Sequence, residues 1–205
     1  SIMAYSRITH TRNGAAALKY ALSGGAHFAG KERNLLVGSV GFLPDGSVSY
    51  LKQCERLWGK ASSRNITQMR RIIVSFSENE LPPDDANSAN KAMEIGMKIA
   101  KNGFLGFPFV IAVQNDGAGG KVHIHMLSPN VNSVDFKGFN DDQTKHWYVR
   151  RHVDNVCKEY FRLDEGQHAK DKITQSERRK REENEEIQNE NKHLPLSEKK
   201  SVNYI

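Results

Sequence analysis

Two strongly apolar segments near the middle of the chain, separated by a short glycine-rich turn, constrain its fold more than any other feature. Residues 107–113 and 122–127 have the length and apolar content of buried strands, and residues 115–121 between them read NDGAGGK. Three glycines permit the tight backbone reversal of a hairpin. The sequence therefore predicts an antiparallel β-hairpin, and a symmetric register places Gln114 opposite His123.

The second strand of this hairpin carries His123-Ile124-His125. Because side chains alternate along a strand, both imidazoles share one face, and in the symmetric register Gln114 shares it too. Two imidazoles and an amide oxygen, with open positions remaining, form a donor set for Mg²⁺ or Mn²⁺. Asp116, at the turn, is a candidate for orienting a ligating imidazole or supplying negative charge. An incidental surface pair of histidines is the alternative.

The remaining periodicities predict an α+β fold, a central antiparallel sheet with helices packed on one face. Apolar alternation predicts strands, and 3.6-residue spacing predicts helices. The predicted elements are a strand over 3–9, a helix starting at Asn13-Gly14, a hairpin over 35–51, a basic helix over 52–63, a strand over 69–76, a helix capped by Asp84 or Asp85, and a helix over 143–162.

The composition becomes almost entirely polar and charged beyond about residue 165. Such a segment buries too little apolar surface to fold as a core. We therefore predict one globular domain over residues 1–165 and a charged helical or disordered tail over 166–205, and we expect the natural protein to continue past Ile205. Ser1-Ile2, before Met3, reads as a cloning remnant.

The chain carries a formal net charge of +6, which favours a polyanionic partner. The basic excess lies in residues 1–165, and a solvated helix face is an equally simple explanation for part of it. The candidate phosphate contacts are Lys19, Lys52, Arg56, Lys60, Arg64, Arg70, Arg71 and Lys121.

Two further observations concern the location of the protein. No apolar run approaches the roughly 20 residues needed to span a bilayer, so we expect no membrane insertion. Cys54 and Cys157 fit no metal or redox spacing, which favours a reducing cytoplasm.

A nucleophile candidate lies in the first predicted helix, within Leu18-Lys19-Tyr20-Ala21-Leu22. A tyrosine that attacks phosphorus forms a covalent phosphotyrosyl bond, which conserves the energy needed to rejoin a strand. The simpler interpretation of Tyr20 is a core aromatic residue on an amphipathic helix. Tyr5, Tyr50 and His10 are rival nucleophiles.

The order of these motifs resembles the relaxases of the mobilisation-P group, DNA-nicking proteins of the His-hydrophobic-His endonuclease class. The resemblance covers about residues 1–165. Its motifs are Leu18-Lys19-Tyr20, the strand 71–76, Phe104-Leu105-Gly106-Phe107, the hairpin 110–127 and Asn132-Ser133-Val134. One position departs from the family pattern, because Gln114 stands where the family has its first metal-binding histidine.

The resemblance implies a bacterial, cytoplasmic enzyme that nicks one strand of an origin-of-transfer DNA, single-stranded or hairpin, to start conjugative transfer. A divalent ion, Mg²⁺ or Mn²⁺, would be held by His123, His125 and a third ligand. Tyr20 would attack the scissile phosphate and remain linked to the 5′ phosphate. Accessory proteins of the relaxosome and a coupling protein would be partners.

Two other functions fit the same residues. Rolling-circle replication initiators and tyrosine transposases of the same class often carry the tyrosine on a helix after the metal strand, where Tyr148 and Tyr160 lie here. A non-enzymatic DNA-binding accessory protein would bind DNA without divalent metal and without a covalent adduct.

Overall fold

The structure, a computed structural model, describes residues 4–23, 34–43, 48–62, 66–116 and 118–165, together with isolated positions between 183 and 197. Arg64, the predicted turn at 44–46 and most of the predicted tail lie outside the described residues. Met3–Lys158 forms one compact unit, and residues 1–2 with 159–205 form another. No helix within the described ranges is long and apolar enough to cross a membrane.

Five antiparallel strands form one sheet in the order β1-β3-β5-β4-β2. The strands are β1 (Tyr5–Thr11), β2 (Asn34–Val40), β3 (Met69–Ser75), β4 (Phe109–Gln114) and β5 (His123–Ser128). The helices are α1 (Gly14–Leu22), α2 (Tyr50–Lys60), α3 (Ser88–Gly103) and α4 (His146–Glu165). The predicted α+β class, an antiparallel sheet with helices packed on it, is confirmed.

The helices occupy both faces of the sheet, not one face as predicted. A methyl group at Gly96 of α3 would lie 3.1 Å from the side chain of Ile124, so α3 covers the Ile124 face. The opposite face buries Leu127 in a cluster with Leu18 of α1 and Cys54 of α2. Because alternation sends His123, His125 and Leu127 to one side, we call this second side the histidine face.

Helix α1 is fixed at its first turn by side-chain hydrogen bonds. Asn13 accepts from the backbone N–H of Ala16 at 3.0 Å, the arrangement of an N-cap. The N–H of Gly14 donates to Gln68 Oε1 at 3.0 Å. The apolar positions Ala17, Leu18 and Ala21 are buried, and they set which face of α1 lies against the sheet.

The predicted hairpin over residues 35–51 is wrong in its second half. Strand β2 pairs with β4, about 70 residues away in sequence, and residues from Tyr50 onward form α2. Ser49 begins that helix, since its hydroxyl accepts from the N–H of Lys52 at 3.2 Å. Alternation identified a strand, but alternation does not specify its partner.

The predicted cap of α3 is also wrong. Asp85 accepts from the backbone N–H of Asn87 at 2.8 Å, which holds the turn before the helix. The helix itself starts at Ser88, whose hydroxyl donates to the Pro82 carbonyl at 2.6 Å.

Candidate active site

A row of directly paired residues crosses the histidine face, with one residue from each strand. In sheet order the row is Tyr5, Ser75, His123, Gln114 and Asn34. The predicted pairing of Gln114 with His123 is confirmed. Residues in one row share a face, so five polar side chains lie side by side across the sheet.

His123 is surrounded by oxygen atoms. Its Nδ1 lies 3.1 Å from the Lys121 carbonyl, and its Nε2 lies 3.2 Å from Gln114 Oε1. Asp116 Oδ1 lies 3.5 Å from the same Nε2. Because a carbonyl can only accept, the contact with Lys121 requires the proton on Nδ1, which leaves the lone pair of neutral imidazole on Nε2. That lone pair and two side-chain oxygens then face one another, an arrangement suited to a cation.

His125 lies beside His123, with 5.1 Å between the two ring centroids. It pairs with Ala112 on β4 and with Ile73 on β3. Both imidazoles are partly exposed, whereas Ile124 between them is fully buried on the other face.

The composition of a metal site here is restricted. In the part of the chain that the structure describes, no three His, Cys, Asp or Glu side chains come together as a metal-binding group. An amide oxygen is outside that set, so Gln114 Oε1 can complete a site with the two imidazoles. The Lys121 carbonyl occupies the position of an imidazole-orienting group, which was predicted for Asp116, and Asp116 lies on the Nε2 side.

Gln114 connects the histidines to α1. Its side chain is fully buried, and its Nε2 donates to Asn34 Oδ1 at 2.8 Å and reaches the Ala21 carbonyl at 3.5 Å. Asn34 Nδ2 donates to the same carbonyl at 3.0 Å. Ala21 directly follows Tyr20, so the backbone beside the nucleophile candidate is hydrogen-bonded to Asn34 and Gln114, and Gln114 Oε1 in turn faces His123.

Tyr20 is not a core residue. Its side chain is 54% exposed, while Ala17, Leu18 and Ala21 supply the buried face of α1. The simpler interpretation of Tyr20, a core aromatic residue on an amphipathic helix, is therefore wrong. Ser23 ends the helix, with its N–H donating to the Lys19 carbonyl at 2.8 Å.

The rival nucleophiles occupy different positions. Tyr5 is 58% exposed and lies in the row of His123, two strands away. Tyr50 packs edge-on against Phe42. His10 alternates to the face opposite the histidines. The hydroxyl of Tyr148 donates to the Gly103 carbonyl at 2.6 Å.

The predicted phosphate contacts do not form one group. Lys52, Arg56 and Lys60 are exposed at four-residue intervals, so they form a stripe along α2. Lys19 and Lys121 are exposed as well. Among the described residues, these five are the predicted cations that are exposed, and Lys60 also lies 5.7 Å from the ring centroid of Phe136.

The two adjacent arginines of β3 point to opposite faces. Arg70 donates to Asn130 Oδ1 at 3.2 Å and lies 5.8 Å from the ring centroid of Phe139, and burial lowers the pKa of its guanidinium. Arg71 lies on the histidine face, and its Nε is buried without a hydrogen-bond partner among the described residues.

Sequence reasoning missed Asn34 and Arg7. Asn34 meets Gln114 across 80 residues of sequence, and no local pattern predicts that contact. Arg7 is exposed and lies in the next row of the histidine face, in register with Ile73 and His125. The alternation of β1 could have placed it on a face but not on that row.

Comparisons with protein families and with solved structures both find matches. The profile of a relaxase family, the MobA/VirD2-like nuclease domain, matches residues 21–161, beginning one residue after Tyr20. No curated protein is similar enough to count as a match. A solved structure described as "Molecular Basis of Vancomycin Resistance Transfer in Staphylococcus aureus" is 17% identical with a TM-score of 0.48, covering 80% of this chain and 93% of that chain.

Proposed function

Since the chain belongs to the family of MobA/VirD2-like relaxase nuclease domains, which nick DNA in conjugative mobilisation, we propose that its substrate is a single-stranded origin-of-transfer DNA and its nucleophile is Tyr20. The accessory and coupling proteins of a relaxosome are its expected partners. The family match also favours this function over a replication initiator, a transposase or a non-enzymatic DNA-binding protein.

The proposed step is a phosphoryl transfer to the Tyr20 oxygen. That oxygen forms a bond to the scissile phosphorus, and the bond from phosphorus to the 3′ oxygen breaks. The phenol loses its proton, and the leaving 3′ oxygen gains one to become a 3′-hydroxyl. The 5′ phosphate stays on Tyr20, and the reverse reaction rejoins the strand.

The donor set of the histidine face fits a divalent ion such as Mg²⁺ or Mn²⁺. His123, His125 and Gln114 would hold it, and the Asp116 carboxylate lies within reach. When bound, the ion supplies positive charge against the scissile phosphate. The Lys121 carbonyl fixes the His123 tautomer, and the Gln114 amide, buried in a fixed network, contributes a preoriented oxygen.

One observation carries the assignment of Tyr20. The carbonyl of Ala21, the next residue, contacts the amides of Asn34 and Gln114, and Gln114 contacts His123. The backbone that follows this exposed tyrosine is thereby tied to the candidate metal ligand Gln114, which supports Tyr20 as the nucleophile. Tyr148, one of the two tyrosines expected to act in the alternative enzymes, donates its hydroxyl to the Gly103 carbonyl, whereas Tyr160 is the other.

Arg71, which is partly exposed, is the predicted phosphate contact on the histidine face. Its Nε is closed off from solvent, so a contact with phosphate would be made by other atoms of the guanidinium group. The stripe of Lys52, Arg56 and Lys60 would contact further phosphates of the DNA strand. These contacts would be electrostatic and independent of the DNA sequence.

The test compares Tyr20→Phe with Tyr5→Phe on single-stranded origin DNA and Mn²⁺. Both substitutions remove one hydroxyl from a tyrosine more than half exposed. We expect the wild type and Tyr5→Phe to form a denaturation-resistant protein–DNA adduct, and Tyr20→Phe to form none while still binding DNA. Mass spectrometry of the digested adduct should find the nucleotide on the peptide containing Tyr20.

An adduct on Tyr5, His10 or Tyr160 would retain the nicking chemistry and refute Tyr20 as its nucleophile. Cleavage without any modified residue would instead favour hydrolysis by water. Chelation with EDTA should abolish the adduct, and readdition of Mn²⁺ should restore it. Unchanged cleavage in EDTA would refute the metal requirement.

A further inference from the structure

We infer that Asn34 is a positioning residue, which fixes the orientation of the Gln114 amide toward the candidate metal and holds the end of the nucleophile helix at the same point. The inference rests on the proposed function and extends it to a residue outside the histidine motif. It follows from three contacts that join Asn34, Gln114 and the Ala21 carbonyl.

The orientation of both amides is determined by that carbonyl. A backbone carbonyl can only accept, so the Asn34 atom 3.0 Å from Ala21 O must be its Nδ2. Asn34 Oδ1 is then directed at Gln114, and the Gln114 atom 2.8 Å away must be the donor Nε2. Gln114 Oε1 is left facing His123 Nε2 at 3.2 Å. Rotating either amide by 180° would oppose two acceptors in a buried space.

A β-bulge brings Asn34 into this position. Leu36 pairs with Val113, and a regular ladder would continue with Leu35 opposite Gln114. The register shifts between Asn34 and Leu36, so Asn34 pairs with Gln114 instead. Bulges reorient single side chains and occur often beside active sites, and here the bulge exchanges a leucine for an amide.

The same contacts hold α1. The last carbonyls of a helix have no partner within the helix, and Ala21 O is one of these. Asn34 of β2 donates a hydrogen bond to this carbonyl, whereas the same carbonyl in a solvent-exposed helix would accept one from water. Loss of Asn34 therefore frees two things together, the rotation of Gln114 and the position of the helix end that carries Tyr20.

The experiment measures Mn²⁺ affinity and nicking in parallel for Asn34→Ala. Free Mn²⁺, followed by its electron paramagnetic resonance signal, gives the affinity without DNA. We expect Mn²⁺ binding to weaken by roughly 10- to 100-fold, the range typical of groups that orient metal ligands. At saturating Mn²⁺ and DNA, we expect kcat to fall while KM for DNA stays near wild type.

Ser39→Ala is the matched control, because it removes a polar side chain from the same strand at a position paired with Val110. Ser39→Ala should leave both the Mn²⁺ affinity and the kcat of nicking unchanged. Asn34→Ser is used alongside Asn34→Ala. The serine side chain is too short to reach Gln114 and Ala21 together, but this substitution disturbs packing less than alanine does. The two Asn34 variants should lose similar Mn²⁺ affinity.

A double-mutant cycle with Gln114→Ala tests whether Asn34 acts through that amide. In the Gln114→Ala background, Asn34→Ala should cause no further loss of Mn²⁺ affinity. An equal loss in both backgrounds, or unchanged affinity in Asn34→Ala, would overturn the inference. A wild-type protein that binds Mn²⁺ but forms no Tyr20 adduct would refute the proposed function, a distinct result.

Discussion

The indole ring of Trp58 lies against Gly14 so closely that a methyl group added to Gly14 would overlap ring carbon Cζ2. The ring cannot retreat, because its Nε1–H donates to the carbonyls of Gln68 at 2.8 Å and Pro129 at 3.0 Å. Gly14 is the first residue of α1. Trp58 thus limits how close the N-terminal end of the Tyr20 helix comes to α2.

The first prediction concerns this contact. Gly14→Ala should destabilise the protein by about 1–3 kcal/mol, since overpacking forces the ring or the helix to move. At roughly 2–4 °C per kcal/mol, the melting temperature should fall by several degrees, as measured by calorimetry. Nicking should fall as well, because α1 carries Tyr20.

Gly59→Ala provides the matched control, being the same chemical change in a helix with nothing within 4 Å of the new methyl group. It should stabilise the protein by about 0.5–1 kcal/mol, because alanine loses less backbone entropy than glycine in a helix. Equal melting temperatures for the two variants would contradict the packing argument.

The second prediction concerns the candidate metal ligands. His123→Ala or His125→Ala should abolish divalent-dependent nicking while DNA affinity, measured by fluorescence anisotropy, changes little, because phosphate contacts dominate affinity. His10→Ala removes an imidazole from the opposite face and should nick normally. Unchanged metal dependence in both ligand variants would show that the site lies elsewhere.

The third prediction concerns the stripe on α2. Replacing Lys52, Arg56 and Lys60 together by glutamine should weaken DNA binding and reduce the slope of log affinity against log salt by about 1 for each phosphate that is no longer neutralised. The control replaces three lysines of α3, on the other face of the sheet: Lys91, Lys98 and Lys101. If both triple variants change the salt slope equally, the α2 stripe has no special role.

The fourth prediction concerns the two buried cysteines. Burial, with a smaller contribution from Glu55, raises the pKa of Cys54 to about 12, and burial with Glu80 and Asp154 raises the pKa of Cys157 to about 12. The folded state therefore favours the neutral thiol. Native protein at pH 8 should react with a thiol reagent only as fast as it unfolds.

The sign of the pH dependence follows from these raised values. The free energy of unfolding that comes from the neutral buried thiol is fully present below pH 9, the ordinary pKa of a thiol. It is lost as the pH rises toward about 12, because the unfolded chain loses its thiol protons first. Urea unfolding between pH 8 and pH 10 should show a smaller decrease in unfolding free energy for Cys54→Ala than for wild type. Identical decreases in unfolding free energy for the variant and the wild type would show that the Cys54 thiol does not cause the pH dependence.

The features predicted well from sequence are those determined by local pattern. The hairpin that carries His123 follows from two apolar runs and a glycine-rich turn, and its register follows from symmetry about that turn. The start of α1 follows from Asn13, an N-cap whose hydrogen bond spans three residues. Contacts so close in sequence leave few alternatives.

The features missed depend on distant pairing. The sequence predicted that residues 47–51 form a second strand paired with β2. That pairing depends on which other strands can pair with β2, and β4 occupies that place. The place of Asn34 depends on a bulge opposite Gln114, and the exposure of Tyr20 depends on which face of α1 the sheet covers. Each is a property of the assembled sheet, so no segment taken alone contains it.

The sheet order has a consequence for synthesis of the enzyme. Strand β5, the last to leave the ribosome, is the one that joins the pair β1-β3 to the pair β4-β2. A nascent chain that ends before β5 contains Tyr20 but neither histidine, and its two strand pairs have no shared neighbour. On the proposed assignment of His123 and His125 as metal ligands, these ligands and the closing of the sheet therefore arrive in the same step of synthesis.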